Sequence, residues 1–420
     1  MDFLYNTGIM AYRAMVRLAS VRNRKARLML RGQALTMRRL KAHLDPDASY
    51  IWIHASSLGE FEQGRPLIEK IRRETPDAHI VLTFFSPSGF EVRKNYDKVD
   101  LVCYLPFDLS HHVTQFLDLV RPVKAIFVKY EFWGNYLMEL RRRGIPSYVI
   151  SAIFRPGQIF FKPWGGMFRK ILKCFTTLFV QNEQSAQLLR SIGIDQVVVC
   201  GDTRFDRVAD VRAAAREFPV VARFVEGARF TLVMGSSWQP DEEIVIPYFN
   251  EHPEMKLIIA PHEFDRERLH NILSMVRRPA GFYSETSVAQ AARLDCLVID
   301  SFGILSSLYR YGQAAYVGGG FGSGIHNVNE AAVYGVPVVF GPRHGKFQEA
   351  ADLIACGGAH SIDSPEAFAR VMDTLLTDGQ ALAASGKQAA DYIQSHLGAT
   401  QVVYDYIFGG GDLQKPVKNE

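Results

Sequence analysis

The chain has 420 residues, 48% of them hydrophobic and 22% charged, the composition of an ordered globular protein too long for one ordinary core, so two domains are expected. Its five cysteines (Cys103, Cys174, Cys200, Cys296 and Cys356) are scattered, which excludes a legible metal spacing or disulfide framework and fits a reducing compartment. The net charge of +4 is unevenly spread: residues 1–42 hold ten Lys/Arg against Asp2 alone, about +9, which leaves about −5 for the rest and argues against nucleic acid as the partner.

That basic stretch interleaves its cations with Phe3, Leu4, Ile9, Met10, Met15 and Leu18. Arg13 and Arg17 interrupt any run near the ~20 apolar residues that a bilayer crossing needs. No small-residue cleavage pattern follows a clean apolar stretch, so a secretory signal is not expected. Residues 1–42 therefore predict a basic amphipathic segment on an anionic membrane surface. The alternative is a helix packed on its own domain, with its arginines on the wet face.

Short β-rich bursts then alternate with helical patterns. They fall at 51–53, 80–84, 101–104, 125–128, 147–150, 178–180 and 197–199, and again at 231–234, 257–259, 297–299, 314–317 and 336–340. This alternation predicts parallel sheets with crossover helices, two Rossmann-like halves over 43–205 and 230–400. Residues 206–229 lack a strand signal and are expected to link the halves. Residues 401–420 are expected to be a helix end and a frayed tail starting at Gly409-Gly410-Gly411.

The first strand runs into His54-Ala55-Ser56-Ser57-Leu58-Gly59-Glu60 and then a helical pattern. A strand, a small-residue turn and a helix start aim backbone N–H groups at a ligand and favour a carboxylate in the first turn. Glu60 is thus a candidate general base. The alternative is a helix cap by Ser56 or Ser57, with Glu60 as a capping-box carboxylate. In the second half, Gly235-Ser236-Ser237 follows a strand and offers a phosphate contact. Pro261-His262 ends another strand and is a candidate wall of a base pocket. The densest segment is Gly318-Gly319-Gly320-Phe321-Gly322-Ser323-Gly324-Ile325-His326-Asn327-Val328-Asn329-Glu330. Its glycines permit close backbone approach, a helix is expected to begin near His326, and Glu330 is placed to accept from ribose hydroxyls. The loop follows a late strand and lacks Gly-Lys-Ser/Thr, so neither a dinucleotide fold nor a P-loop is indicated. Arg155, Lys162, Arg169, Lys170 and Lys173, interleaved with Phe160, Phe161, Trp164 and Phe168, form a second basic stretch, either a phosphate or bilayer contact or an ordinary solvated helix.

His54…Glu60, Lys129-Tyr130-Glu131-Phe132-Trp133, Gly201-Asp202-Thr203-Arg204-Phe205-Asp206, Gly235-Ser236-Ser237 and the Gly318–Glu330 loop occur in an order that resembles the 3-deoxy-D-manno-octulosonic acid (Kdo) transferases. The resemblance implies an α/β GT-B architecture of two Rossmann-like domains facing a central cleft. It implies inverting transfer of Kdo from CMP-Kdo to lipid A precursor (lipid IVA) at the cytoplasmic face of the inner membrane, with no metal cofactor. It implies Glu60 as the catalytic base and Glu131 as a second acidic catalytic residue on the acceptor side. Ser236, Ser237, Pro261, His262, Gly319, Gly320, Gly322, His326, Asn327 and Glu330 would form the nucleotide-sugar site. His54, Ser56, Ser57, Gly59, Lys129, Trp133 and Arg155 would serve the acceptor. Lys129–Trp133 stands where the family commonly has Thr-Glu-Leu-Trp, Pro261-His262-Glu263 where it often has Pro-Arg-His, and Lys346 where it has Asn. Another GT-B enzyme with a UDP donor, a nucleotide-sugar epimerase, or a non-catalytic nucleotide-sugar sensor are the competing expectations.

Overall fold

A computed structural model of the chain describes residues 3–263 and 265–409; most of the tail expected to fray, 410–420, lies outside the described residues. Among these, the chain forms fourteen strands in two seven-stranded sheets whose pairings are parallel throughout. The first sheet contains β1 (Tyr50–His54), β2 (His79–Phe84), β3 (Leu101–Tyr104), β4 (Pro122–Val128), β5 (Ser147–Ala152), β6 (Thr177–Val180) and β7 (Val197–Val199), in the order 3-2-1-4-5-6-7. The second contains β8 (Phe230–Ser237), β9 (Met255–Pro261), β10 (Ala280–Phe282), β11 (Cys296–Val298), β12 (Ala314–Val317), β13 (Val338–Phe340) and β14 (Ala359–Ser361), in the order 10-11-9-8-12-13-14. Each of the twelve predicted bursts overlaps a strand, although 336–340 starts two residues before β13 and 297–299 ends one residue after β11. The two unpredicted strands, β10 and β14, sit at the sheet edges, where Ala-Gly-Phe and Ala-His-Ser need not be apolar on both faces. β1 shows the opposite case: buried along its whole length, it is apolar at four consecutive positions.

The chain divides into two compact units. The first runs to Arg207 and resumes at Gly398; the second spans Val208–Leu397. In the first, apolar clusters cover both sheet faces, one around Trp52, Phe116, Phe127 and Tyr136, the other around Phe61, Ile68, Phe84 and Ile126. In the second, Leu232, Phe249, Ile259, Tyr316 and Phe368 form the corresponding core.

The basic N-terminus is part of the first unit. It folds as helices α1 (Phe3–Ala19) and α2 (Arg24–His43), with Asn23 capping α2 through its side chain. Val16, Met29 and Leu40 reach the buried clusters. A Cβ on Gly32 would lie 2.2 Å from the Tyr104 ring, so the α2 backbone needs glycine to lie against the end of β3, and the Thr36 hydroxyl donates to the Tyr104 carbonyl at 2.9 Å. The outer face of α1 stays apolar: Leu18 and Val21 just beyond the helix are 76% and 74% exposed, with Met10 and Met15 also exposed. No helix among the described residues is long and apolar enough to cross a membrane.

The expected linker is helical, with Thr203–Ala213 and Pro219–Val225. The final helix, Ala399–Phe408, belongs to the first unit and not, as its first two residues were expected to, to the second. Its Val403 and Ile407 are buried among the residues of α3 (Leu58–Glu74) and its neighbours. The Gly201–Asp206 motif explains this return. Asp206 accepts the Gly398 and Thr400 amides at 2.7 and 2.6 Å, capping the helix that follows Gly398. Asp202 takes the Gln63 amide of α3 on both oxygens at 3.1 Å, and Thr203 bonds the Gln63 carbonyl and, at 2.8 Å, Ser151 of β5. Replacing Asp206 by Ala leaves two helix-terminal donors without an acceptor and should destabilise the first unit by about 1–2 kcal/mol. Urea unfolding followed by tryptophan fluorescence, three of whose four reporters (Trp52, Trp133 and Trp164) lie in this unit, measures it.

Candidate active site

In an open parallel sheet the crevice lies where connections leave in opposite directions, between β1 and β4 in the first unit and between β8 and β12 in the second. The candidate residues gather at the carboxyl ends of these strands.

In the first unit, β1 ends at His54, and Ser57 caps α3. Glu60 folds back so that one oxygen, Oε2, takes the Ser56 amide and, at 3.3 Å, the Ser57 amide. The Glu60 amide reaches the Ser57 hydroxyl at 3.5 Å, completing a capping box. The second oxygen, Oε1, has no hydrogen-bond partner among the described residues. Burial and, next, the charge of Glu131 push the Glu60 carboxyl from 4.5 up to about 7, against the pull of the two amides and Lys129.

Glu131 lies past the end of β4, after Lys129, whose φ of +65° is rare for a residue with a side chain. Its Oε2 takes the Trp133 indole N–H at 2.6 Å and meets His54 Nε2 at 3.0 Å. His54 is fully buried, with Nδ1 2.9 Å from the Thr83 hydroxyl. The Trp52 indole donates to that hydroxyl oxygen at 2.8 Å, the hydroxyl donates to the Ile53 carbonyl at 3.4 Å, and Nδ1 also lies 3.1 Å from the Thr83 carbonyl oxygen. His54 Nε2 faces both the Glu131 carboxylate and, at 3.1 Å, the Trp133 indole N–H, so the ring bridges Thr83 and Glu131 whichever nitrogen carries the proton. His54 thus positions Glu131 and does not face an acceptor, as was expected of it. Gly59 faces open space, Arg155 is exposed, and the Trp133 ring packs on Phe85 at 4.7 Å between centroids.

Three residues that shape this site carry no signal in the sequence motifs. Asp108, fully buried after β3, accepts the amides of Asn135 and Tyr136 at 2.9 and 3.0 Å and so caps the helix Gly134–Arg142 that follows Trp133. Burial pushes its carboxyl up to about 6. Tyr5 of α1 donates to Asp108 at 2.5 Å and accepts from the Gly134 amide at 2.8 Å. Tyr12 stacks on Phe85 at 6.3 Å, and its phenol is pushed up by burial and then by the charge of Glu131. The N-terminal helix therefore forms one side of this site.

In the second unit, β8 ends in Gly235-Ser236-Ser237, with Ser236 at φ +52°. The Ser237 hydroxyl donates to buried Glu242 at 2.7 Å, and Glu242 pairs with Arg268 at 2.6 Å. Ser237 is thus engaged within the fold, and Ser236 is the residue of the pair left at the partly open strand end. Asp241, also buried, ties the turn to the glycine loop. It accepts the Trp238 and Gly319 amides, both at 2.9 Å, and the Tyr316 hydroxyl at 2.8 Å. Gly319 has φ +94°, and a Cβ there would lie 2.5 Å from the Gly324 carbonyl; one on Gly320 would lie 2.5 Å from Gly341. Gly322 is exposed. Trp238, His262 and His326 stack in sequence, with centroids 4.7 and 4.4 Å apart, and the indole donates to His326 Nε2 at 3.2 Å. Burial, then His262, push the His326 imidazole down, which favours its neutral form. Pro261 is buried at the end of β9, and Asn327 donates to Glu330 at 3.1 Å.

One expectation changes here. The helix after the loop is a single turn, Asn329–Ala332, too short for a macrodipole to do much at His326. The open donors of this segment lie in its loop backbone, where the amides of Ser323 and Asn327 have no acceptor among the described residues. Asp241→Asn should loosen the loop: about tenfold faster hydrogen exchange at Gly319 is expected, measured by mass spectrometry, since a carboxylate bonds an amide more strongly than a neutral acceptor does.

The family model described as 3-Deoxy-D-manno-octulosonic-acid transferase (kdotransferase) matches residues 23–207. A 3-deoxy-D-manno-octulosonic acid transferase of Aquifex aeolicus is 28% identical over 316 residues, 74% of this chain and 80% of its own. One from Bordetella pertussis is 27% identical over 388 residues, 86% of this chain and 87% of its own. Among solved structures, a UDP-GlcNAc 2-epimerase from Neisseria meningitidis aligns with a TM-score of 0.61 over 86% of this chain and all of its own, at 13% identity, which shows a shared fold and no more. Residues 23–207 match the 3-deoxy-D-manno-octulosonic-acid transferase model, the chain is similar to these transferases along most of its length, and its two parallel sheets have the GT-B fold of a glycosyltransferase.

Proposed function

We propose that this transferase moves Kdo from CMP-Kdo to a lipid A precursor, lipid IVA, with inversion at the anomeric carbon, without a metal, at the cytoplasmic face of the bacterial inner membrane. The observation that carries the proposal is Glu60. Its carboxylate is held by two backbone amides on one oxygen, while the other is open and burial makes the group basic near neutrality. That is what deprotonating an alcohol requires.

In the proposed step, the acceptor hydroxyl gives its proton to Glu60 as its oxygen bonds the anomeric carbon. The bond from that carbon to the CMP phosphate breaks, and its electron pair leaves with CMP. Charge developing on the phosphate would be met by the glycine-loop amides, Ser236 and His326. The exposed His262 ring offers a face to the base, and Glu330 an acceptor to the ribose. Glu131, fixed by His54 and Trp133, keeps Glu60 basic through its charge. The exposed apolar outer face of α1, among arginines, supports attachment to an anionic lipid surface.

Turnover of CMP-Kdo with lipid IVA in mixed micelles, read by acceptor mass, tests this. Glu60→Gln should lose about 10²–10⁴-fold in kcat and retain CMP binding; a parallel loss of CMP affinity would make Glu60 structural. UDP should not compete where CMP does. Because the base acts ionised, kcat/KM should rise with pH through about 7 and level off above it. A profile flat from about pH 5 to 9 would contradict the assignment of Glu60.

A further inference from the structure

A cavity of about 270 Å³ lies within the first unit among α1, α2 and the helix Ser110–Val120. Arg13 and Arg17 line it, one turn apart on α1, with His112, Gln33 and Gln115, above a floor of Phe107. None of its lining residues is acidic. Neither guanidinium makes an ion pair or a side-chain hydrogen bond among the described residues, although Arg13 is half-buried with its guanidinium 6.0 Å from the centre of the Phe107 ring. Gln33 is buried, and its side-chain Nε2 has no hydrogen-bond partner. Burial and then Arg17 push the Arg13 guanidinium down, and burial, His111 and Arg13 do the same to His112. Two adjacent cations, a donor without an acceptor and no counter-charge describe a site built for an anion.

The remaining walls, Leu30, Met37 and Pro106, are apolar, and the exposed apolar face of α1 lies on the same helix as the two arginines. The cavity is below the roughly 300–1,000 Å³ that encloses a drug-sized ligand, so it takes a headgroup and leaves acyl chains outside. We propose that Arg13, Arg17 and Gln33 bind a phosphate ester carried on a lipid. The phosphate belongs either to a bulk anionic phospholipid or to a lipid acceptor. This site is independent of the assignment of donor and base.

Binding of soluble dihexanoyl-phosphatidylglycerol to the full chain, followed calorimetrically, is the first arm. R13Q/R17Q should weaken it about tenfold or more, whereas K94Q/K98Q, which removes the same charge from an exposed site elsewhere in the unit, should leave it unchanged. Ala34→Glu, which places a carboxylate in the cavity and keeps both arginines, should reproduce the loss if the double variant folds poorly. The second arm compares KM for a phosphorylated and a dephosphorylated lipid acceptor. If the acceptor supplies the phosphate, R13Q/R17Q raises only the first KM, with kcat held, and dihexanoyl-phosphatidylglycerol shows little binding. If bulk lipid supplies it, the first arm alone responds. The proposal is overturned if neither arm responds, if K94Q/K98Q loses as much as R13Q/R17Q, or if inorganic phosphate binds as tightly as the lipid.

Discussion

Parallel pairing governs this molecule. A parallel strand must be reached by a crossover, so all seven strands of each sheet deliver their carboxyl ends to one edge, and connections part at β1/β4 and at β8/β12. Backbone amides in such a crevice have lost their sheet partners and need acceptors. In this protein the acceptors are carboxylates: Asp108 beside β3, Glu60 after β1, Asp202 after β7 and Asp241 after β8. Each holds two or more donors, so the strand-end loops are fixed from beneath, and Glu60 alone of the four does so with one oxygen.

Strain gathers at the same edge. Three of the four non-glycine residues with positive φ, Lys129, Ser151 and Ser236, lie at or just beyond strand carboxyl ends. Such conformations cost about 1–3 kcal/mol each and persist only where the surroundings over-determine them. Ser151 shows how: its hydroxyl meets Thr203, and Thr203 is tied to α3 through Gln63. The Gly201–Asp206 motif is therefore a folding element. It binds β5, α3 and the returning C-terminal helix into one unit, which no local pattern around residue 203 discloses.

What was legible follows from whether the signal is local. Central strands such as β1 and β8 announce themselves because both faces are buried and their positions are mostly apolar. The short edge strands β10 and β14 do not. His54, Glu60 and Glu131 stand out in the sequence, yet the role of His54 depends on Thr83 and Trp52, one on the next strand and one two residues back on the same face. Asp108 and Tyr5 are joined across 103 positions. The basic N-terminus was legible in its charge and apolar spacing, but not in its two-sidedness. Gly32 and Thr36 fasten it to β3 while Leu18 and Val21 remain outside.

The sequence left Glu60 open between a capping-box carboxylate and a base, and the geometry removes the opposition. A carboxylate has two oxygens. At Glu60 the backbone uses one, which holds the other in a fixed direction at a strand end. Those amides favour the ionised form, and alone they would leave a weak base. Burial and the nearby charge of Glu131 act in the other direction and prevail, carrying the group to about 7. Asp241 uses both of its oxygens on the fold, on Tyr316 and on the Trp238 and Gly319 amides, so the same kind of buried carboxylate is spent there on structure alone. One open oxygen is the difference between a clamp and a clamp that can also take a proton.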